Sequence, residues 1–140
     1  SVDRMNLMQA IEKEAARQNV IQNILLEVNI GLEESKSGFL AEEIHTVLGQ
    51  MTNFPHLRVK GLMAIPPISH AEGENSKFFQ EIYQLSVDIE RKKYDNVAME
   101  CLSMGMSDDF ADAIAAGSTM IRIGTAIFGR RNYAKPHQEH

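Results

Sequence analysis

The chain has 140 residues, 44% of them hydrophobic, and a formal net charge of −5, which suits one globular domain with a real core. An acidic balance without clustered Lys and Arg argues against a nucleic-acid or anionic-membrane binder. The single Cys101 excludes an internal disulfide and a cysteine-rich zinc site; with no apolar run of spanning length and no secretory leader, the cytosol is the simplest compartment.

In chain order, helix and strand alternate. Asp3 is placed to cap a helix whose Met5, Met8, Ile11 and Ala15 form one apolar stripe. Ile24 to Ile30 is a strand-length apolar run, followed by a polar loop from Gly31 to Gly38. Leu40, Ile44, Val47, Leu48 and Met51 mark a second amphipathic helix, stopped by Asn53 and the Phe54-Pro55 pair. Val59 to Ile65 is a second buried strand, closed by Pro66-Pro67. Phe78, Ile82, Leu85 and Ile89 signal a third helix with Glu81, Glu90, Arg91 and Lys92 toward solvent. Val97 to Ser103 is the third strand. Ser107, Asp108 and Asp109 are N-cap and first-turn residue types for a short helix ending at Gly117. Met120 to Gly124 is read as the fourth strand, and the tail from Asn132 to His140 as frayed. Its His137 and His140 lack companion ligands at metal-site spacing, so no metal is expected.

Strands separated by helices imply parallel pairing and either an open sheet or a closed barrel. Period 2 puts Leu25, Glu27 and Asn29 on one face of the first strand, Gly61, Met63 and Ile65 on one face of the second, and Met99, Cys101 and Ser103 on one face of the third. Arg122 belongs to the same kind of face on the fourth. Asn29, Ser103 and Arg122 thus sit near strand carboxyl ends, where (β/α) barrels place function and hold phosphate in the loops after the last strands.

The segment MIRIGTAIFG, Met120 to Gly129, sharpens this. Gly124 lets backbone N–H groups approach a ligand, Thr125 adds a hydroxyl, and TAIF can begin a short helix with unpartnered N–H groups. Taken alone, the same residues also suit a glycine turn beside a surface arginine.

The segments LLEVNIGLEESKSGF (Leu25 to Phe39), VKGLMAIPP (Val59 to Pro67), LSMGMSDDF (Leu102 to Phe110) and AIAAGSTMIRIGTAIFGRRNY (Ala113 to Tyr133) resemble the pyridoxal phosphate homeostasis protein family, whose fold is similar to the barrel domain of alanine racemase. The resemblance implies a TIM-type (β/α)8 barrel, present as roughly its second half with about four βα units over residues 1–133, before a flexible tail at 134–140. It implies that Ser103, Gly124 and Thr125 bind the phosphate of pyridoxal 5'-phosphate, that Arg122 faces the pyridine nitrogen, and that Asn29 and Met63 line the ring pocket. A guanidinium stays charged and accepts no proton, so it leaves that nitrogen unprotonated and weakens the electron sink.

Family members carry their Schiff-base lysine on an earlier strand, and no segment like it precedes Ser1. A full barrel takes about 250 residues. Two open sheet edges are therefore expected to invite self-association. Lys36, beside Glu33 and Glu34, is read as a solvated loop lysine, and no catalytic residue is assigned. The function expected is a non-catalytic carrier or regulator in vitamin B6 homeostasis, with pyridoxal-phosphate apoenzymes as partners and neither nucleic acid nor membrane. The alternatives are a racemase-like enzyme, which needs bases on both ring faces, and an engineered or truncated fragment without activity. Tyr83, Tyr94 and Tyr133 have no evident route to the pocket.

Overall fold

The computed structural model describes residues 1–132. Helix α1 (Met5–Gln18) leads into strand β1 (Gln22–Val28), and α2 (Ile44–Gly49) into β2 (Leu57–Ala64). Then follow α3 (Ser76–Lys92), β3 (Val97–Ser103), α4 (Phe110–Ala115) and the short α5 (Thr125–Phe128). The strands form one parallel sheet in the order β1-β2-β3. Each helical connection covers the same face, as right-handed crossovers require.

That face carries the core. Ile24, Leu26 and Val28 of β1, Val59, Leu62 and Ala64 of β2, and Leu102 of β3 are buried. They pack with Met8 and Ala15 of α1, with Ile44, Val47 and Leu48 of α2, and with Phe79, Ile82 and Ile89 of α3. Each buried Val, Leu, Ile, Met or Phe side chain among them contributes about 1.5–3 kcal/mol. Phe79 rather than Phe78 supplies the first anchor of the α3 stripe, and Phe78 is half-buried. The second predicted helix is a 3-10 turn (Ala41–Glu43), α2, and a second 3-10 turn (Met51–Asn53), with Met51 still buried.

Parallel register fixes the opposite face. Leu25, Gly61 and Cys101 lie side by side, as do Glu27, Met63 and Ser103. The pairing slips between Ile24/Leu25 and again between Val59/Gly61. Lys60 is therefore the extra residue of a bulge, and Val59 and Gly61 point to opposite faces. At Gly61 a Cβ would sit 1.7 Å from the Cys101 carbonyl oxygen, so only glycine permits the β2–β3 approach.

Two expectations are corrected here. Asp3 does not cap α1: the N-cap is Arg4, without a side-chain cap, and Asp3 accepts instead from the Arg4 guanidinium at 2.7 Å. Met120 to Gly124 is not a ladder-forming strand, since only Met120 forms a parallel bridge, to Ser103. The physical reason lies in the three residues before it. Gly117 takes a positive φ of 107° just past α4. Thr119 Oγ1 then accepts from the Leu102 N–H at 2.8 Å, and the Ser118 hydroxyl lies 2.7 Å from the Met104 carbonyl. Side chains thus take bonds that a fourth strand's backbone would have made.

The sheet edges carry partners of their own. On the outer edge of β1, Val2 bridges Leu26 and Phe39 bridges Val28, with Glu27 N–H donating to Val2, Phe39 N–H to Glu27 and Asn29 N–H to Phe39. On β3, the Met99 N–H donates to Glu90 and the Met104 N–H to Met120. Each edge is thus covered over part of its length.

Candidate functional site

The site lies at the carboxyl end of the sheet, on the face away from the helices. Ser103 ends β3 and is 2% exposed. Its parallel bridge to Met120 puts Met120, and two residues on Arg122, on the same side as Glu27 and Met63. The Arg122 backbone is pinned by its N–H to the Gly105 carbonyl at 2.9 Å. Its side chain crosses β3 to donate one guanidinium N–H to the Ala64 carbonyl at 3.0 Å.

Arg122 Nε is buried with no hydrogen-bond partner, the one such side-chain atom among the described residues. An unpaired buried donor on a guanidinium is costly, so its presence asks for an acceptor. Burial pushes the Arg122 pKa down, while the negative charges of Glu27 and Asp109 oppose the shift; an arginine remains charged all the same.

The loops after β3 and after Met120 meet at Ser107. Its Oγ accepts from the Ala126 N–H at 3.1 Å and lies 3.4 Å from the Gly124 N. A neutral oxygen thus stands where the first amides of α5 converge. In front of Gly124 the space is open, because an added Cβ would meet nothing within 4 Å. Nothing in the packing or in its φ of −121° demands glycine there. Of Ser107, Asp108 and Asp109, all expected as N-cap and first-turn residues of the next helix, the N-cap is Asp109, whose Oδ1 accepts from the Met106 N–H at 2.8 Å, and Ser107 stands before it. The signal available was the serine's position four residues past Ser103, matching Gly124 four residues past Met120.

Of the six residues singled out from sequence, Ser103, Arg122 and Met63 share the face away from the helices, and Gly124 and Thr125 open α5. Asn29 is spent elsewhere. Its amide donates to the Glu33 carbonyl at 2.9 Å and accepts from the Glu33 N–H at 3.2 Å, ordering the loop after β1. Lys36 is held by Glu33 at 2.8 Å and the Pro66 carbonyl at 2.9 Å. Tyr94 bonds His45 Nδ1 at 2.8 Å, and Tyr83 packs beneath Gly117. Tyr133, His137 and His140 lie outside the described residues. Two surface clefts sit at the other end of the sheet, one between α1 and the start of β1, one between the starts of β2 and β3. Among the described residues, no helix is long and apolar enough to cross a membrane.

Parallel strands, helices on one face and polar strand ends on the other define a barrel-type α/β domain. The chain belongs to the alanine racemase N-terminal domain family, which it matches over residues 1–132. It is 41% identical to the pyridoxal phosphate homeostasis protein of Aquifex aeolicus over 133 residues, 95% of this chain and 58% of that protein. An unknown protein from Bifidobacterium adolescentis superposes with a TM-score of 0.84 at 33% identity, covering 91% of this chain and 51% of that one. PipY of Synechococcus elongatus PCC7942, in a structure with PLP bound, gives a TM-score of 0.78 at 25% identity, covering 92% and 59%. The chain therefore spans between half and three-fifths of the length of these proteins.

Proposed function

We propose that this chain binds pyridoxal 5'-phosphate and serves vitamin B6 homeostasis in the cytoplasm as a non-catalytic carrier or regulator. The observation that carries the proposal is the orphaned Arg122 Nε on the face away from the helices. A pyridine nitrogen is an acceptor without a proton, which suits a donor that keeps its own. Ser103, Ser107, Thr125 and the amides of Gly124 and Ala126 would hold the phosphate, with Met63 against the ring. These residues fit the group: charged oxygens would replace the Ser107 hydroxyl at the amides, and Gly124 leaves room for them. In the same proposal the units from Val2 onward form the second half of a (β/α)8 barrel, and apoenzymes receive the cofactor.

The bound group supplies an electron-withdrawing ring. Arg122, donating to the ring nitrogen without protonating it, keeps that withdrawal weak. Lys36 and Tyr94 are engaged in other bonds, which disfavours a two-base racemase.

Equilibrium dialysis tests this. The chain is expected to retain pyridoxal phosphate without turning over amino acids. Arg122→Met should weaken that binding about tenfold, the scale of one charge-assisted hydrogen bond, and change inorganic phosphate binding less than about threefold. The fold should be retained, because the variant gives up the bond to the Ala64 carbonyl but also removes a buried charge with an unmet donor. No retained cofactor, or racemisation of amino acids, would contradict the proposal.

A further inference from the structure

Asn75 stands at the N-cap of α3, yet its side chain makes no bond to that helix. It is 2% exposed. Both hydrogens of its amide go elsewhere: Nδ2 lies 3.0 Å from the Pro67 carbonyl and 3.0 Å from Asp109 Oδ2. An asparagine at this position ordinarily caps its own helix, so a buried one that does not is committed to another task.

The bonds lead to the candidate site. Asp109 receives Asn75 on one carboxylate oxygen and the Met106 N–H on the other, at 2.8 Å. The Met106 carbonyl in turn accepts from the Phe110 N–H at 2.9 Å. The turn from Met106 to Asp109 is therefore closed from both ends, and Ser107 within it is the residue whose hydroxyl meets the amides of Gly124 and Ala126. Serine at position 75 would be too short to reach Asp109. Aspartate there would set one carboxylate against another.

We infer that Asn75 is a positioning residue for the anion-binding end of the sheet: by holding Asp109 it fixes the Met106–Ser107 turn, so that the Ser107 hydroxyl and the Gly124 and Ala126 amides converge on one point. The inference rests on the proposed phosphate-binding role of that cluster. The loop from Ile68 to Asn75 has a second tether to α4, the Gly73 N–H to Asp112 Oδ2 at 3.0 Å, which does not touch the Met106–Ser107 turn and serves as an internal control.

The test uses the full chain labelled with 15N, compared as parent, Asn75→Ser and Asp112→Ala. Asn75→Ser keeps an N-cap residue type but gives up two buried hydrogen bonds, so its melting temperature should fall while the fold is retained. In the ligand-free protein its Met106, Ser107, Gly124 and Ala126 amide resonances should shift. Its Kd for pyridoxal phosphate and for inorganic phosphate should rise about tenfold, as when an outer partner of a ligand-holding residue is lost. Asp112→Ala should leave those four resonances and both Kd values unchanged. Should Asn75→Ser not fold, Asp109→Asn interrogates the same bond from its other end, and the same resonances are expected to move. A folded variant with those amides unmoved and Kd within twofold overturns the positioning role. If the parent retains no pyridoxal phosphate, the proposed function falls separately, because the ligand-free resonances still report on Asn75.

Discussion

Ser107→Asp is expected to lower the affinity for pyridoxal phosphate at least about 100-fold while leaving the protein folded. In the parent, the Ser107 hydroxyl accepts from the Ala126 N–H and lies beside the Gly124 N–H. A carboxylate there would accept the same bonds as an anion. Negative charge beside helix-opening amides contributes about 0.3–1 kcal/mol, so a melting temperature raised by about 2–4 °C is expected. A phosphate would then meet a fixed charge of its own sign. At 4 Å and an effective dielectric near 20, that repulsion is about 4 kcal/mol per pair of unit charges, more than a 100-fold loss requires. Thermal melting and equilibrium dialysis read the two halves, and binding lost while stability rises separates blocking of the site from damage to the fold. Unchanged affinity would mean that the phosphate does not lie against Gly124 and Ala126.

Gly61→Ala is expected to have the largest effect on stability. Its Cβ would stand 1.7 Å from the Cys101 carbonyl oxygen and 2.6 Å from the Cys101 carbonyl carbon, both backbone atoms of the neighbouring strand. No rotamer relieves a backbone clash, so β2 and β3 must separate at the bulge. The cost should reach at least about 3 kcal/mol, the upper end of ordinary overpacking, a large share of a domain's total of about 5–15 kcal/mol. Urea denaturation should show the lowered midpoint, or the variant should fail to accumulate as soluble protein. Gly124 provides the contrast: nothing lies within 4 Å of its would-be Cβ, so Gly124→Ala should melt like the parent.

The residues of the core and of the site differed in how openly the sequence displayed them. Strand β3 was bounded residue for residue, because its apolar run ends where Gly105 takes a positive φ. Beyond the bulge at Lys60 the two faces of the sheet were legible from period 2, since one side is aliphatic and buried and the other carries Glu27, Met63 and Ser103, whereas Val59 and Met99, of the same parity as Gly61 and Ser103, pack toward the core. What escaped depended on side chains replacing backbone partners. Met120 to Gly124 has the alternation of a strand, but Ser118 and Thr119 bond β3 through their hydroxyls and the ladder stops at one bridge. Ser107 resembles an N-cap by residue type, and only its distance to Ala126 shows that it closes the gap between two loops. Asn29 follows the carboxyl end of β1, yet the turn of its amide toward Glu33 follows from loop geometry that periodicity does not encode.

The most direct test is a 15N titration of the chain with pyridoxal phosphate and, in parallel, with inorganic phosphate. Amides of Ser107, Gly124, Thr125 and Ala126 should move saturably with both ligands, and the Arg122 Nε–H resonance should move with pyridoxal phosphate alone. Amides that stay in place at saturating ligand, or an Arg122 Nε–H that responds equally to phosphate without the ring, would contradict the placement of phosphate and ring on which the proposed function depends.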